Sequence, residues 1–138
     1  MISSDVLEHV VPPVATAFSN LHALLKPGGV LVFTVPFSLD SETVEHFPEL
    51  HEFEIRQRGG EHVLINRTMD GRTQEFTRLV FHGGPGSTLE MRLFSEAGLR
   101  RELERAGFVD IQVHREPCFE AGIYWHHPWS VPVTAIAG

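Results

Sequence analysis

Histidine dominates the chemical repertoire of this chain: nine are present, beside 18 Asp and Glu and one cysteine, Cys118. An imidazole titrates near neutral pH and can take up or return a proton during a reaction. His82 leads the candidates because it abuts Gly83-Gly84-Pro85-Gly86-Ser87, an irregular glycine loop of the kind that carries functional side chains. Metal chemistry is the rival use of so many histidines. There is no paired-cysteine spacing and no His-Glu-x-x-His helix, and His126-His127 are adjacent rather than one helical turn apart, so no metal site is assigned. Ser87 follows Gly-Pro-Gly without the nucleophile-elbow pattern, which disfavours hydrolase chemistry. Asn66-Arg67-Thr68 spells a glycosylation acceptor, but with no secretory signal in view it carries no weight.

These residues need elements to position them. Val14, Ala17, Phe18, Leu21, Leu24 and Leu25 recur at spacings of three and four, which predicts a helix over 12–25 with Pro12 or Pro13 in its first turn. Gly28 and Gly29 stop it and turn the chain into Val30-Leu31-Val32-Phe33-Thr34-Val35. That run has almost no polar face, so it reads as a central parallel strand covered by helices on both sides. A second helix is predicted over 96–106, capped by Ser95 and ended by Gly107, with Leu99, Leu103 and Ala106 on one face. Val109, Ile111 and Val113 alternate with polar residues and predict a strand directly after it. A last strand is expected within 129–135.

Residues 38–90 read as an insert. Its first part, 40–61, is polar and reads as surface turns around Phe53 to Ile55. Residues 62–81 form a β-hairpin about Asp70-Gly71.

The apolar fraction of 42% and charged fraction of 21% place the chain among soluble globular proteins rather than disordered ones. A length of 138 residues suits one domain. The net charge of -7 opposes a nucleic-acid footprint, and no apolar run approaches membrane-spanning length. With a lone cysteine excluding an intrachain disulfide, the expected compartment is cytoplasmic.

Three stretches carry a family resemblance. Ser4-Asp5-Val6-Leu7-Glu8-His9-Val10, Leu25-Lys26-Pro27-Gly28-Gly29-Val30-Leu31-Val32-Phe33, and Phe94-Ser95 with Leu103-Glu104-Arg105-Ala106-Gly107-Phe108 together resemble the C-terminal half of a class I S-adenosylmethionine-dependent methyltransferase. The resemblance implies an α/β, Rossmann-like three-layer methyltransferase fold, here incomplete and carrying an inserted β-hairpin. It lacks the N-terminal glycine-rich cofactor loop, and the glycines at 83–86 do not replace that loop because no strand leads into them and no helix follows directly.

By the same resemblance, Ser4, Asp5 and Val6 occupy the strand-end rim that meets the cofactor, S-adenosyl-L-methionine, and Leu7 and His9 help finish the pocket. His82 and His9 are the catalytic candidates, with Phe37, His46, His51, Tyr124, Trp125 and His126 as further lining residues on the acceptor side. The plainer reading makes Asp5 a turn cap and His9 a packing residue.

The function implied is methyl transfer to a small molecule, by a chain active only as part of a longer polypeptide or complex. Its partners would be the methyl acceptor and a missing N-terminal half or partner subunit, with no nucleic acid and no membrane. The alternative is a noncatalytic sheet-completing subunit or an inactive fragment of such an enzyme.

Overall fold

A computed structural model of the chain describes residues 1–38, 40–125, 129 and 131–138. In chain order the elements are β1 (Ile2–Ser4), a 3-10 turn (Leu7–His9), α1 (Ala15–Ala23), β2 (Val30–Thr34), β3 (Phe37–Ser38) and β4 (Val44–Glu45). Then come β5 (Glu52–Arg58), β6 (Glu61–Arg67), β7 (Thr73–Phe76), β8 (Phe81–His82), β9 (Thr88–Leu89) and β10 (Arg92–Ser95). The chain continues through α2 (Glu96–Arg105), β11 (Phe108–Val113), a 3-10 turn (Phe119–Ala121) and β12 (Val133–Ala137).

The principal sheet has the order β1-β2-β12-β11. β1 runs parallel to β2, pairing Ile2 with Val32 and Ser4 with Thr34, while β12 is antiparallel to both β2 and β11. β2 is therefore internal, as its apolar run predicts, but only one of its neighbours is parallel. Leu31 and Phe33 of β2 share a face with Val133, Ala135 and Ala137 of β12, and all five are buried against Phe18 of α1 and Leu99 and Leu103 of α2. On the opposite face Val32, Thr134 and Ile136 are half-buried and Val30 is exposed. The expected helical cover is thus present on one face among the described residues, giving two layers of the three-layer plan.

Local chemistry accounts for the helix limits. Ser95 caps α2, its hydroxyl accepting from the Gly98 amide at 2.9 Å, and Gly107 takes a φ of 98° just past the end. α1 is shorter than its apolar stripe: it starts at Ala15, after a cis Pro12-Pro13 bond, so neither proline lies in its first turn. The turn into β2 is fastened at both glycines, with the Gly28 amide donating to Ala137 O at 2.8 Å and the Ala137 amide to Gly29 O at 2.9 Å. The last strand lies later than its apolar letters suggest, at 133–137 rather than 129–135.

The insert is larger than a hairpin. β5, β6 and β7 form an antiparallel three-stranded sheet in that order, with Asp70-Gly71 turning β6 into β7 as expected and Gly59-Gly60 turning β5 into β6. Residues 52–58, read from sequence as part of a run of surface turns, are the first of these strands. Phe47, Leu64, Leu89 and Met91 form its small core. Asn66, fully buried, fixes the connection ahead of β5: its Oδ1 accepts from the His51 amide, and its Nδ2 donates to Glu49 O and Gln74 Oε1, all at 2.9 Å. No helix among the described residues is long and apolar enough to cross a membrane.

Candidate functional site

Two adjoining groups of polar side chains are built where the chain leaves β1. The first is the strand-end rim. Ser4 and Thr34 end the two parallel strands as direct register partners, and their hydroxyls lie 2.8 Å apart. Asp5 joins both, accepting from Ser4 Oγ at 3.1 Å and from Thr34 Oγ1 at 3.3 Å. Its amide donates to Thr34 O at 2.9 Å while its φ is 50°, a left-handed conformation that a non-glycine residue adopts at a cost and that Asp tolerates better than most. Ser4, Asp5 and Val6 are all exposed here. Asp5 is therefore more than the turn cap of the plainer reading, since its carboxylate ties the two strand ends together.

The second group begins on the 3-10 turn that follows. Glu8 is fully buried, and neither of its carboxylate oxygens has a hydrogen-bond partner beyond its own residue. Burial pushes its carboxyl above the ordinary range, against the pull of its own backbone amide and of His9 and His82. His9 Nε2 lies 3.6 Å and His82 Nδ1 3.9 Å from Glu8 Oε1. The two imidazoles meet edge to face with centroids 4.7 Å apart. His9 and His82, far apart in sequence and chosen as the catalytic candidates, are thus neighbours in space.

The outer nitrogens of both rings are occupied. His9 Nδ1 lies 2.8 Å from Leu89 O, which can only accept. Glu90 receives His82 Nε2 on Oε2 and His46 Nε2 on Oε1, each at 2.8 Å. A neutral His9 must then carry its proton on Nδ1 and a neutral His82 on Nε2. Each turns a bare lone pair toward the Glu8 carboxyl.

β10 and the residues before it hold this turn in place. The Met91 amide donates to Glu8 O at 2.8 Å. Arg92, fully buried, donates from Nη1 to Leu7 O at 2.8 Å and to Val10 O at 2.7 Å, bracketing Glu8 and His9. Its Nε donates to Glu45 Oε1 at 2.6 Å.

The other expected lining residues are dispersed. His46 belongs to the cluster through Glu90. Phe37 is buried in the main core, and Trp125 packs partly buried against it. His51 is exposed beside Asn66, and Tyr124 is exposed and stacked on Phe119. His126 lies outside the described residues. Glu8, Glu90, Arg92 and Thr34 were missed by sequence reasoning. Only Glu8, adjacent to His9, had a local signal. An open groove of about 430 Å³ lies over the insert, lined by residues that include His62, Arg78, Phe81 and Gly84, the last two within two residues of His82 in the chain.

A sheet with a parallel strand pair, helices on one face, an antiparallel β12 beside β2 and a polar rim at the strand ends describes a Rossmann-like methyltransferase fold in incomplete form. A family model described as a methyltransferase domain matches residues 1–113, and the chain belongs to that family. The glycopeptide N-methyltransferase MtfA, solved with (S)-adenosyl-L-homocysteine, aligns over 99% of this chain and 53% of its own length at 17% identity and a TM-score of 0.50, a likeness of fold. An S-adenosylmethionine-dependent methyltransferase from Mesorhizobium loti aligns at 18% identity over 98% of this chain and 60% of its own length, with a TM-score of 0.49. One from Clostridium acetobutylicum aligns at 12% identity over 99% and 58%, with a TM-score of 0.47. The chain therefore spans little more than half the length of these structures. Comparison with curated proteins gives no match.

Proposed function

We propose that this chain is the C-terminal half of a class I methyltransferase domain that uses S-adenosyl-L-methionine to methylate a small molecule, and that it works as part of a longer polypeptide or complex. The observation that carries this reading is the Ser4–Asp5–Thr34 network at the carboxyl ends of β1 and β2. Open α/β sheets bind ligands in the crevice beyond those strand ends. A cationic, hydroxyl-bearing cofactor fits an exposed carboxylate flanked by two hydroxyls, so the residues present suit one flank of the group. Ser4 and Asp5 would hold it, with Val6 supplying apolar contact beside them. When bound, the cofactor supplies an electrophilic methyl on a sulfonium.

His9 and His82 face the acceptor side in this reading. Both imidazoles are partly exposed, so an acceptor hydroxyl or amine that reaches their Glu8-facing nitrogens would meet a proton acceptor, and Glu90 holds the His82 ring in one tautomer. Asp5, anchored to both strands, orients what lies at the rim, and positioning accounts for much of the barrier lowering in a transfer between two bound groups. The acidic net charge favours a small acceptor over nucleic acid, and the lone Cys118 supports a cytoplasmic setting.

The test is a titration of the isotopically labelled chain with S-adenosyl-L-homocysteine, followed by amide chemical shifts. Perturbations confined to residues 4–6 and Thr34, at the millimolar affinity of half a site, are expected. Unchanged signals there at saturating ligand would refute the cofactor assignment. A second reading, a noncatalytic subunit that completes a partner's sheet, draws on the exposed β1 residue Ile2 and the half-buried outer face of β2. Cofactor binding at the rim speaks against it.

A further inference from the structure

We propose that Glu8, His9 and His82 form a site for one divalent transition-metal ion of the Zn²⁺, Mn²⁺, Fe²⁺ or Co²⁺ class. Their ligand atoms all lie within 4.8 Å of one another. Proximity alone proves little, and the independent observation is Glu8. Its side chain is completely buried, neither oxygen has a hydrogen-bond partner beyond its own residue, and Oε1 points at the two imidazoles. A buried carboxylate left unpartnered is strongly destabilising in general, so native structures supply a compensating charge or proton.

The arrangement around the cluster favours a metal ion in that role. The Leu89 carbonyl and the Glu90 carboxylate take up the outer N–H of His9 and His82, which is how metal-ligating histidines are commonly oriented and made more basic. Three electron pairs, one from oxygen and two from nitrogen, then converge. Metal–ligand bonds of about 2.1 Å place neighbouring donor atoms about 3.0–3.4 Å apart. The observed 3.6 and 3.9 Å would need to contract by about 0.2–0.9 Å, and the two imidazole nitrogens, within 4.8 Å of each other, would close in with them.

Donor type narrows the choice of ion. Two imidazoles with one carboxylate suit a borderline transition metal, whereas Mg²⁺ and Ca²⁺ prefer all-oxygen ligand sets. Access is open, since the His82 side chain is 34% exposed and that of His9 14%. Three protein ligands leave coordination positions free, as catalytic rather than structural sites do. An acceptor oxygen could fill one of them, so that the imidazoles act on the acceptor through the ion; that role rests on the methyltransferase reading, whereas binding of the ion does not. Absent paired-cysteine and His-Glu-x-x-His spacings mark a site assembled from distant segments, which no local motif can signal.

The experiment strips the full 138-residue chain with a chelator, dialyses it against Zn²⁺ and against Co²⁺, and measures bound metal, the visible Co²⁺ spectrum and the melting temperature, all without S-adenosylmethionine. One ion per chain, a Co²⁺ absorption band and a metal-dependent rise in melting temperature are expected. His82→Gln, on the partly exposed β8, should abolish all three. Glu8→Gln should do the same. Glu90→Gln, which keeps every ligand, should weaken affinity by about 10–100-fold. Substoichiometric binding by the wild type, or unchanged affinity in folded His82→Gln, overturns the proposal and leaves a shared proton as the compensating charge. If Glu8→Gln fails to fold, His82→Gln and Glu90→Gln decide the matter. The cofactor titration at Ser4 and Asp5 is a separate measurement, so failure of either reading leaves the other standing.

Discussion

The Arg92 guanidinium meets the Glu45 carboxylate at 2.6 Å, and from the same buried position it holds the carbonyls of Leu7 and Val10. One ion pair thus links the short strand β4 to the turn that carries Glu8 and His9. Glu45→Ala strands the buried guanidinium charge and should cost about 3 kcal/mol, near the low end for breaking a buried pair because Glu45 keeps some solvent contact. Urea unfolding should show a lower midpoint with an unchanged slope. A midpoint within error of the wild type would mean that water replaces Glu45 without loss.

Gly98 sits inside α2, where alanine would ordinarily be the better helix former by about 1 kcal/mol. Here the sign reverses. A Cβ at this position would stand 2.1 Å from Thr43 Oγ1, the atom that accepts the Ser95 amide hydrogen bond at 3.1 Å. Gly98→Ala should destabilise the protein by about 1–3 kcal/mol, the usual range for overpacking. Thr43→Ala removes that 2.1 Å contact and leaves the tighter-than-usual approaches to Ser95 Oγ at 3.0 Å and the residue 43 Cβ at 3.2 Å, so a double-mutant cycle should show coupling. Additive effects would place the obstruction elsewhere.

Around the β6–β7 turn, the Asp70 carboxyl is held down to about 2 by the Thr68 hydroxyl and then by Arg72, whose Nε lies 2.7 Å from its Oδ2. A carboxyl depressed in the folded state adds stability above its unfolded value, and that stability is lost as pH falls through the folded value. The loss contributed by Asp70 should therefore fall between about pH 4 and pH 2. Carboxyl carbon chemical shifts should give Asp70 a midpoint near 2. In Asp70→Asn the acid limb of the stability curve should flatten over that window. A midpoint near an unperturbed aspartate would contradict the network.

Asp5 offers a way to separate backbone cost from side-chain use. Its left-handed φ of 50° favours glycine over alanine, so Asp5→Gly should be more stable than Asp5→Ala by about 1 kcal/mol. Both remove the carboxylate and should weaken S-adenosyl-L-homocysteine binding alike. Thermal melts and the cofactor titration report the two effects separately, and equal stability of the two variants would remove the strain argument.

Local signals were legible in the sequence. Ser95, Leu99, Leu103 and Gly107 define α2 because a cap, a stripe and a left-handed stop lie within one short segment. Val30 to Thr34 announce an internal strand, yet nothing local reveals that β12 rather than a second parallel strand lies beside it. β5 escaped because all seven of its residues are exposed, leaving no buried face to give an apolar period. Gly59-Gly60 was the available clue, being a favoured pair for a tight hairpin. At the site, Ser4, Asp5 and Val6 were legible through the family resemblance of their segment and not from any local chemical pattern. The Glu8–His82–Glu90 arrangement was not, since it depends on β8 and β9 folding back over the turn, a long-range event that spacing cannot encode.

β12 lies between β2 and β11, although it is translated after both. During synthesis, then, the two strands that flank the middle of the sheet emerge into solvent before the strand that joins them. Until Val133 to Ala137 arrive, Leu31 and Phe33 lack their partners in β12 and the turn at Gly28-Gly29 lacks its anchor. Chains truncated before Val133 should therefore be cut readily by protease, whereas the chain that includes Ala137 should resist.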